Sequence, residues 1–175
     1  MFDLLIRPET PADYPAVATL LRAAFPGPGE AHLVEQLRRR PDYTPELALV
    51  ATLGGEVVGH ILLTPIDIES VEGGASRPSL ALAPVAVQPA QQRRGIGAEL
   101  VEAGLAAGRS RGHESVILLG HPAYYPRFGF APASLWGVRA PFEVPDKAFM
   151  ALELRPGALA RAAGTVRYPP EFASV

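Results

Sequence analysis

The run from Pro84 to Ala98, PVAVQPAQQRRGIGA, constrains the fold of this chain more than any other stretch. An apolar strand passes through Gln88-Pro89 into a turn carrying Arg93, Arg94 and Gly95. That turn opens a segment with Ile96, Leu100, Val101 and Leu105 at helical spacing, predicting a helix from Ile96 to about Arg109. Gly95 and Gly97 have no Cβ, so a ligand can approach the backbone. The unpaired N–H groups of the first helical turn and the helix dipole both favour an anion there. The run has the build of a phosphate cradle, without a P-loop lysine and without the full dinucleotide fingerprint. Ser79 to Val87 reads as a central strand, apolar on both faces, and Ser115 to Leu119 as the next. Strand, helix and strand at this spacing predict a parallel pair with a right-handed crossover. Pro84 cannot donate a ladder hydrogen bond, so a bulge or loss of pairing is expected beside it.

The remaining elements follow from periodicity and punctuation. Phe2 to Arg7 reads as a first strand, stopped by Pro8. Thr10 and Asp13 suit a helix start, with the helix running from about Pro11 to Phe25. After Pro26-Gly27-Pro28-Gly29, a second helix from Glu30 to about Arg40 buries Leu33, Val34 and Leu37. Leu47 to Leu53 and Val57 to Ile68 form a hairpin through Gly54-Gly55, and Glu72 to Ser76 is a loose turn.

At 175 residues, 48% hydrophobic and with a net charge of −2, the chain is expected to form one domain over 1–175 with a sizeable core. No broad basic footprint points to nucleic acid. Arg38-Arg39-Arg40 reads as a solvated helix end. The absence of cysteine excludes disulfides, thiolate metal sites and a cysteine nucleophile, and fits a reducing compartment. Met1 to Arg7 lacks the build of a signal peptide and no apolar run reaches membrane-spanning length, so a cytoplasmic protein is expected, with no membrane partner. No His, Asp and Glu cluster has metal-ligand spacing, and no metal is expected.

Gln92-x-x-Gly95-x-Gly97, following Leu82-x-Pro84-Val85-Ala86-Val87, resembles the acyl-CoA-binding motif of the GNAT N-acetyltransferase superfamily. The resemblance implies an α/β fold: a mixed central sheet with a splayed parallel strand pair and flanking helices. It implies acetyl-CoA as cosubstrate, its pantetheine arm along Val85, Ala86 and Val87. The pyrophosphate would lie against Arg93, Arg94, Gly95, Ile96, Gly97 and Ala98. Further on, His121-Pro122-Ala123-Tyr124-Tyr125-Pro126-Arg127-Phe128-Gly129-Phe130 looks like the signature of the YhbS-like subgroup, in which a short helix ends in Gly-Phe. There the resemblance implies that Tyr125 protonates the departing thiolate, a role open to a phenol of pKa about 10; Tyr124 is assigned to packing. The superfamily likeness covers about residues 2–153. The subgroup likeness extends it through a strand at Phe149 to Leu154 and on to Gly164–Tyr168 and Phe172, making 154–175 a C-terminal extension.

Acetyl transfer to an amine needs a polarised carbonyl, a neutral amine and a protonated leaving thiolate. By the resemblance, the amide of Val87 polarises the carbonyl. Several relatives carry a base on the central strand, but Ser79 to Val87 holds no carboxylate. His121, past the next strand, is either that base or a residue satisfying local backbone groups. By the resemblance, Glu30 and His32 lie where acceptor pockets form, or else are surface residues; His60 reads as half-buried and structural, and His113 as solvent-facing. The expected activity is acetyl transfer to a primary amine of a small molecule or peptide. The alternative is a non-catalytic acetyl-CoA-binding module. Acidic net charge disfavours an aminoacyl-tRNA substrate, and a homodimer is expected from the superfamily. The tail after Leu154 is left with three roles: a sheet edge, a cover over the acceptor, or a dimer contact.

Overall fold

The computed structural model of the chain describes residues 3–71 and 73–175; the expected start of the first strand at Phe2, and Glu72 of the loose turn, lie outside the described residues. The chain divides into two compact units, Met1–Thr64 with Ala83–Ala107 and Pro170–Val175, and Pro65–Leu82 with Gly108–Pro169.

In the first unit, β1 (Leu4–Pro8) pairs antiparallel with β2 (Ala48–Leu53), and β2 with β3 (Glu56–Ser70) across the Gly54-Gly55 hairpin. The strand β4 (Arg77–Val87) lies next to β3. The first helix is shorter than expected. A 3₁₀ turn covers Pro11–Asp13 and α1 proper is Tyr14–Ala24. Pro15 has no N–H to give and is tolerated only in the first helical turn, which moves the α-helical start to Tyr14. Asp13 Oδ2 accepts the Thr10 N–H at 2.8 Å and the Arg7 guanidinium at 2.7 Å, so the turn is closed on itself. Next, α2 (Gly29–Leu37) buries Leu33, Val34 and Leu37, which meet Val17, Leu20 and Leu21 of α1 above Val50, Leu62 and Ala86 of the strands. The C-terminal 3₁₀ turn, Pro170–Ser174, returns to this unit and packs Phe172 against the same core.

The basic run at 38–40 is not a solvated helix end. The Glu9 carboxylate, with a side-chain exposure of 0%, accepts Arg38 Nε at 2.9 Å and Nη2 at 2.8 Å. Tyr43 donates to Glu9 Oε2 at 2.5 Å, and His60 Nε2 lies 3.1 Å from Oε1. His60 is thus fully buried rather than half-buried. Arg40 pairs with Asp42 and Glu171. Only Arg39, pairing with Glu35 one helical turn back, keeps the exposed role read from the sequence.

In the second unit the start of β4 runs parallel to β5 (Ser115–Leu119), with Leu80↔Val116 and Ala81↔Ile117 in register, both ahead of Pro84. Antiparallel to β5 lies β8 (Phe149–Glu153), which also pairs with the two-residue β6 (Ala131–Pro132). Here β9 (Gly164–Arg167) pairs antiparallel with the end of β3 and parallel with β7 (Val138–Arg139). The extension therefore supplies a sheet strand and a packing turn. The core is Leu80, Leu82, Val116, Ile117, Met150 and Leu152, with the Ser79 and Ser115 hydroxyls paired at 2.7 Å. After the basic turn comes the helix α3 (Ile96–Ser110).

Burial alone would push the Glu9 carboxyl up; the hydrogen bonds from His60, Arg38 and Tyr43 outweigh it and hold the group at about 2. A carboxyl depressed on folding adds stability above its unfolded pKa of about 4.3, and that stability is lost as pH falls toward the folded value. Glu9→Ala, which leaves its partners unpaired, should cost ~3–5 kcal/mol at neutral pH by urea denaturation, with the difference shrinking below pH ~4. An unchanged midpoint at neutral pH would show that the cluster contributes nothing.

Candidate functional site

The cradle is assembled entirely within the first unit. From Ala83 onward β4 alternates: Pro84 and Ala86 are buried, while Ala83, Val85 and Val87 are half-exposed. One face thus stays partly open at Val85 and Val87, and the β5 pairing, at Leu80 and Ala81, does not extend along the edge of Val85 to Val87. The Gln88 N–H donates to the Val58 carbonyl at 2.7 Å, fixing the strand end against β3. A 3₁₀ turn at Pro89–Gln91 follows, then the basic turn. Gln92 Nε2 donates back to the Val87 carbonyl at 3.2 Å and Arg94 Nη1 to Gln91 Oε1 at 2.6 Å.

Arg93 has φ of 64°, the positive-φ non-glycine residue of the described backbone, and Gly95 has φ of 84°. A left-handed arginine is a costly conformation that surrounding structure must impose, and such residues gather at ligand clamps. Backbone of alternating hand turns successive N–H groups inward into an anion-binding concavity. A Cβ at Gly95 would meet nothing within 4 Å, so the space over the turn is open. Ile96 is buried as the first anchor of α3, and Gly97 and Ala98 are half-buried beside it. The dipole and the unpaired amides of a helix N-terminus thus coincide with two arginines and open space.

Tyr125 and His121 belong to the second unit. Past the end of β5, a 3₁₀ turn at Tyr125–Phe128 closes on Gly129 at φ of 100°. The Tyr125 ring sits edge-on to Tyr124 at 5.1 Å and to Phe130 at 5.9 Å. Burial, with Tyr124 adding to it, pushes the Tyr125 phenol up to about 12. Gly120 makes room for that ring: a Cβ there would land on Tyr125 Cε2 and Cδ2. Tyr124 packs as expected, with the Arg127 guanidinium 4.2 Å over its ring. His121 is exposed and its carbonyl accepts the Tyr124 N–H at 3.1 Å.

Other residues singled out in the sequence stand apart from these. Glu30 is half-buried in the first turn of α2 and His32 is exposed. His113 is half-buried rather than solvent-facing; burial, then Arg111, lowers its pKa. Among the described residues no cluster of three His, Asp or Glu could hold a metal, and no helix is long and apolar enough to cross a membrane. The sequence reading missed the Glu9 cluster, whose members carry no local signal, and the role of Gly120, whose position directly after an apolar strand was the available cue.

Residues 5–133 match the family described as the acetyltransferase (GNAT) domain, a span containing both the cradle and Tyr125. The chain is 35% identical to the uncharacterized N-acetyltransferase YhbS of Escherichia coli over 97% of its own length and 98% of that protein. It superposes on the crystal structure of Escherichia coli YhbS in complex with CoA with a TM-score of 0.91 at 34% identity, covering 99% of this chain and 93% of that one. A GNAT family acetyltransferase from Brucella melitensis in complex with acetyl-CoA gives a TM-score of 0.77 at 32% identity, covering 97% and 98%.

Gly120→Ala should displace the Tyr125 ring and cost ~1–3 kcal/mol in urea denaturation, with shifted ring resonances for Tyr125. Unaltered stability and resonances would mean that the turn accommodates a side chain freely.

Proposed function

The chain belongs to the GNAT acetyltransferase family, in its YhbS-like subgroup, and from that premise we propose that it transfers the acetyl group of acetyl-CoA to a primary amine of a small molecule or peptide. The observation that carries the reading is the Arg93–Ala98 turn, with its left-handed arginine and open glycine at a helix N-terminus. Its backbone amides and Arg93 hold the pyrophosphate. The accessible edge of Val85 to Val87 pairs with the pantetheine arm as an added strand. Relatives above 30% identity have been crystallised with CoA and with acetyl-CoA, which supports the same use here.

In the transfer, the amine nitrogen attacks the thioester carbonyl carbon and the carbon–sulfur bond breaks. The Val87 amide stabilises the charge developing on the carbonyl oxygen. Tyr125 gives its proton to the departing sulfur. A phenol held at about 12 stays protonated throughout the neutral range, as an acid in this step must. His121, exposed beyond the same strand, takes the proton released by the amine, directly or through water.

The test is CoA release with a panel of primary amines. Tyr125→Phe should lower kcat by about 100-fold or more while acetyl-CoA affinity holds. No alkaline fall in rate should trace to Tyr125 below its pKa of about 12. Acetyl-CoA binding with no release across the panel would favour a non-catalytic module, and an unaffected Tyr125→Phe would remove the tyrosine from the chemistry.

A further inference from the structure

The second unit contains a cavity of about 640 Å³ that the catalytic reading leaves unused. Phe142, Val144 and Phe149 give it apolar walls, and Arg139, Glu143 and Asp146 bring charge of both signs. Its volume falls in the range of small-molecule sites, about 300–1,000 Å³. Arg139, Glu143 and Asp146 are exposed, and among the described residues none of the three is engaged in an ion pair or side-chain hydrogen bond, whereas Arg155 pairs with Glu114, and Arg167 with Asp67 and Glu69.

The cavity adjoins the Tyr125 turn through the backbone. Phe149 is in register with Leu119, the last residue of β5. The next N–H, that of Gly120, donates to the carbonyl of Ala148 at 2.9 Å, and Gly120 is the residue against which the Tyr125 ring rests. Lining and phenol are therefore two sides of one strand end, the end at which α/β sheets bind ligands. Exposed large apolar side chains gather here as well. Phe142 is 47% exposed and stacks on Tyr168, Leu135 beside the lining Ser134 is 71% exposed, and Leu119 is 50% exposed. A depression with apolar walls and charge of both signs has the make-up of a small-molecule site.

We propose that this cavity receives the acceptor, and that the acceptor is a small amine that also carries a carboxylate on an apolar frame, the chemical class of the apolar α-amino acids. The inference rests on the acetyltransferase reading and specifies its substrate. Glu143 and Asp146 attract the ammonium form and lead the amine to the Tyr125 end of β5. Arg139, which lies outside ion-pair reach of both acids, takes the carboxylate as a planar fork. Phe142, Val144 and Phe149 cover the side chain. A pocket built only for an apolar amine has no use for Arg139, and one built for a simple acid has no use for the two carboxylates.

The experiment is calorimetric titration of the full chain, with and without CoA, using L-phenylalanine, L-leucine, phenethylamine and 3-phenylpropionate, alongside a separate acetyl-CoA titration. L-phenylalanine should bind more tightly than either half-analogue. Arg139→Gln should weaken it about tenfold while leaving phenethylamine unaffected, and Asp146→Asn should weaken it similarly while leaving 3-phenylpropionate unaffected. Acetyl-CoA affinity should be the same in both variants, which also reports that they fold. Failure of both amino acids to bind, or equal binding by parent and variants, overturns the inference. A chain that binds acetyl-CoA and acetylates other amines regardless of these variants overturns this inference alone; one that cannot bind acetyl-CoA overturns the acetyltransferase reading and this one with it.

Discussion

The Glu9 carboxylate is the interaction from which the first unit takes its order. A buried charge without partners is prohibitively costly, so its surroundings must supply donors with good geometry. They come from the C-cap of α2 through Arg38, from the segment after it through Tyr43 and from β3 through His60. The Arg38 guanidinium carbon in turn lies over the Tyr14 ring, 3.8 Å from its centroid, bringing the start of α1 into the same network. His60 stands between Gly59 and Ile61, residues on which β4 and α3 rest. A Cβ at Gly59 would come within 2.7 Å of Leu100 and 3.3 Å of the Ala86 carbonyl, and one at Gly104 within 2.9 Å of Leu63. With contacts that close, the helix carrying the cradle takes its position from β3, and His60 ties β3 to the ion cluster.

On that platform β4 changes character along its length. Its stretch from Ser79 to Leu82 is buried on both faces and paired in parallel with β5 at Leu80 and Ala81; from Ala83 it becomes a one-sided strand with Val85 and Val87 half-open. Pro84 stands at the change, and a residue without an N–H is suited to a place where pairing on one side ends. The strand then delivers its end, through Gln88 and the 3₁₀ turn, into a basic loop whose left-handed Arg93 stands between Gln92, bonded back to the Val87 carbonyl, and Arg94, bonded to Gln91. The cost of that conformation is the physical sign that the loop is shaped for something besides connecting two elements.

What the sequence disclosed and what it concealed divide along contact distance. The cradle strand, turn and helix were legible because all their information lies within one short run, and Ser115–Leu119 was read to the residue. Arg38 was misread, and the burial of His60 understated, because their partner Glu9 is 29 and 51 residues away, and nothing local distinguishes a surface arginine from one that reaches a buried acid. The start of α1 was placed too early because the Thr10–Asp13 signal marks a 3₁₀ turn, with the helix proper waiting for Pro15. Two-residue strands such as β6 and β7 are too short for any periodicity to show. The cavity beyond Tyr125 was invisible because Arg139, Glu143 and Asp146 converge only when β7, β8 and the loop between them are in place. Motifs report the part of a site that binds the common group; the part that meets the acceptor is written in loops.

The most direct test of the account is calorimetric titration of the chain with acetyl-CoA, repeated on Gly97→Glu. The substitution places a carboxylate at the helix N-terminus where the pyrophosphate would lie. The account predicts saturable binding by the parent and none by the folded variant. Undiminished affinity in Gly97→Glu, or no binding by the parent, would contradict it.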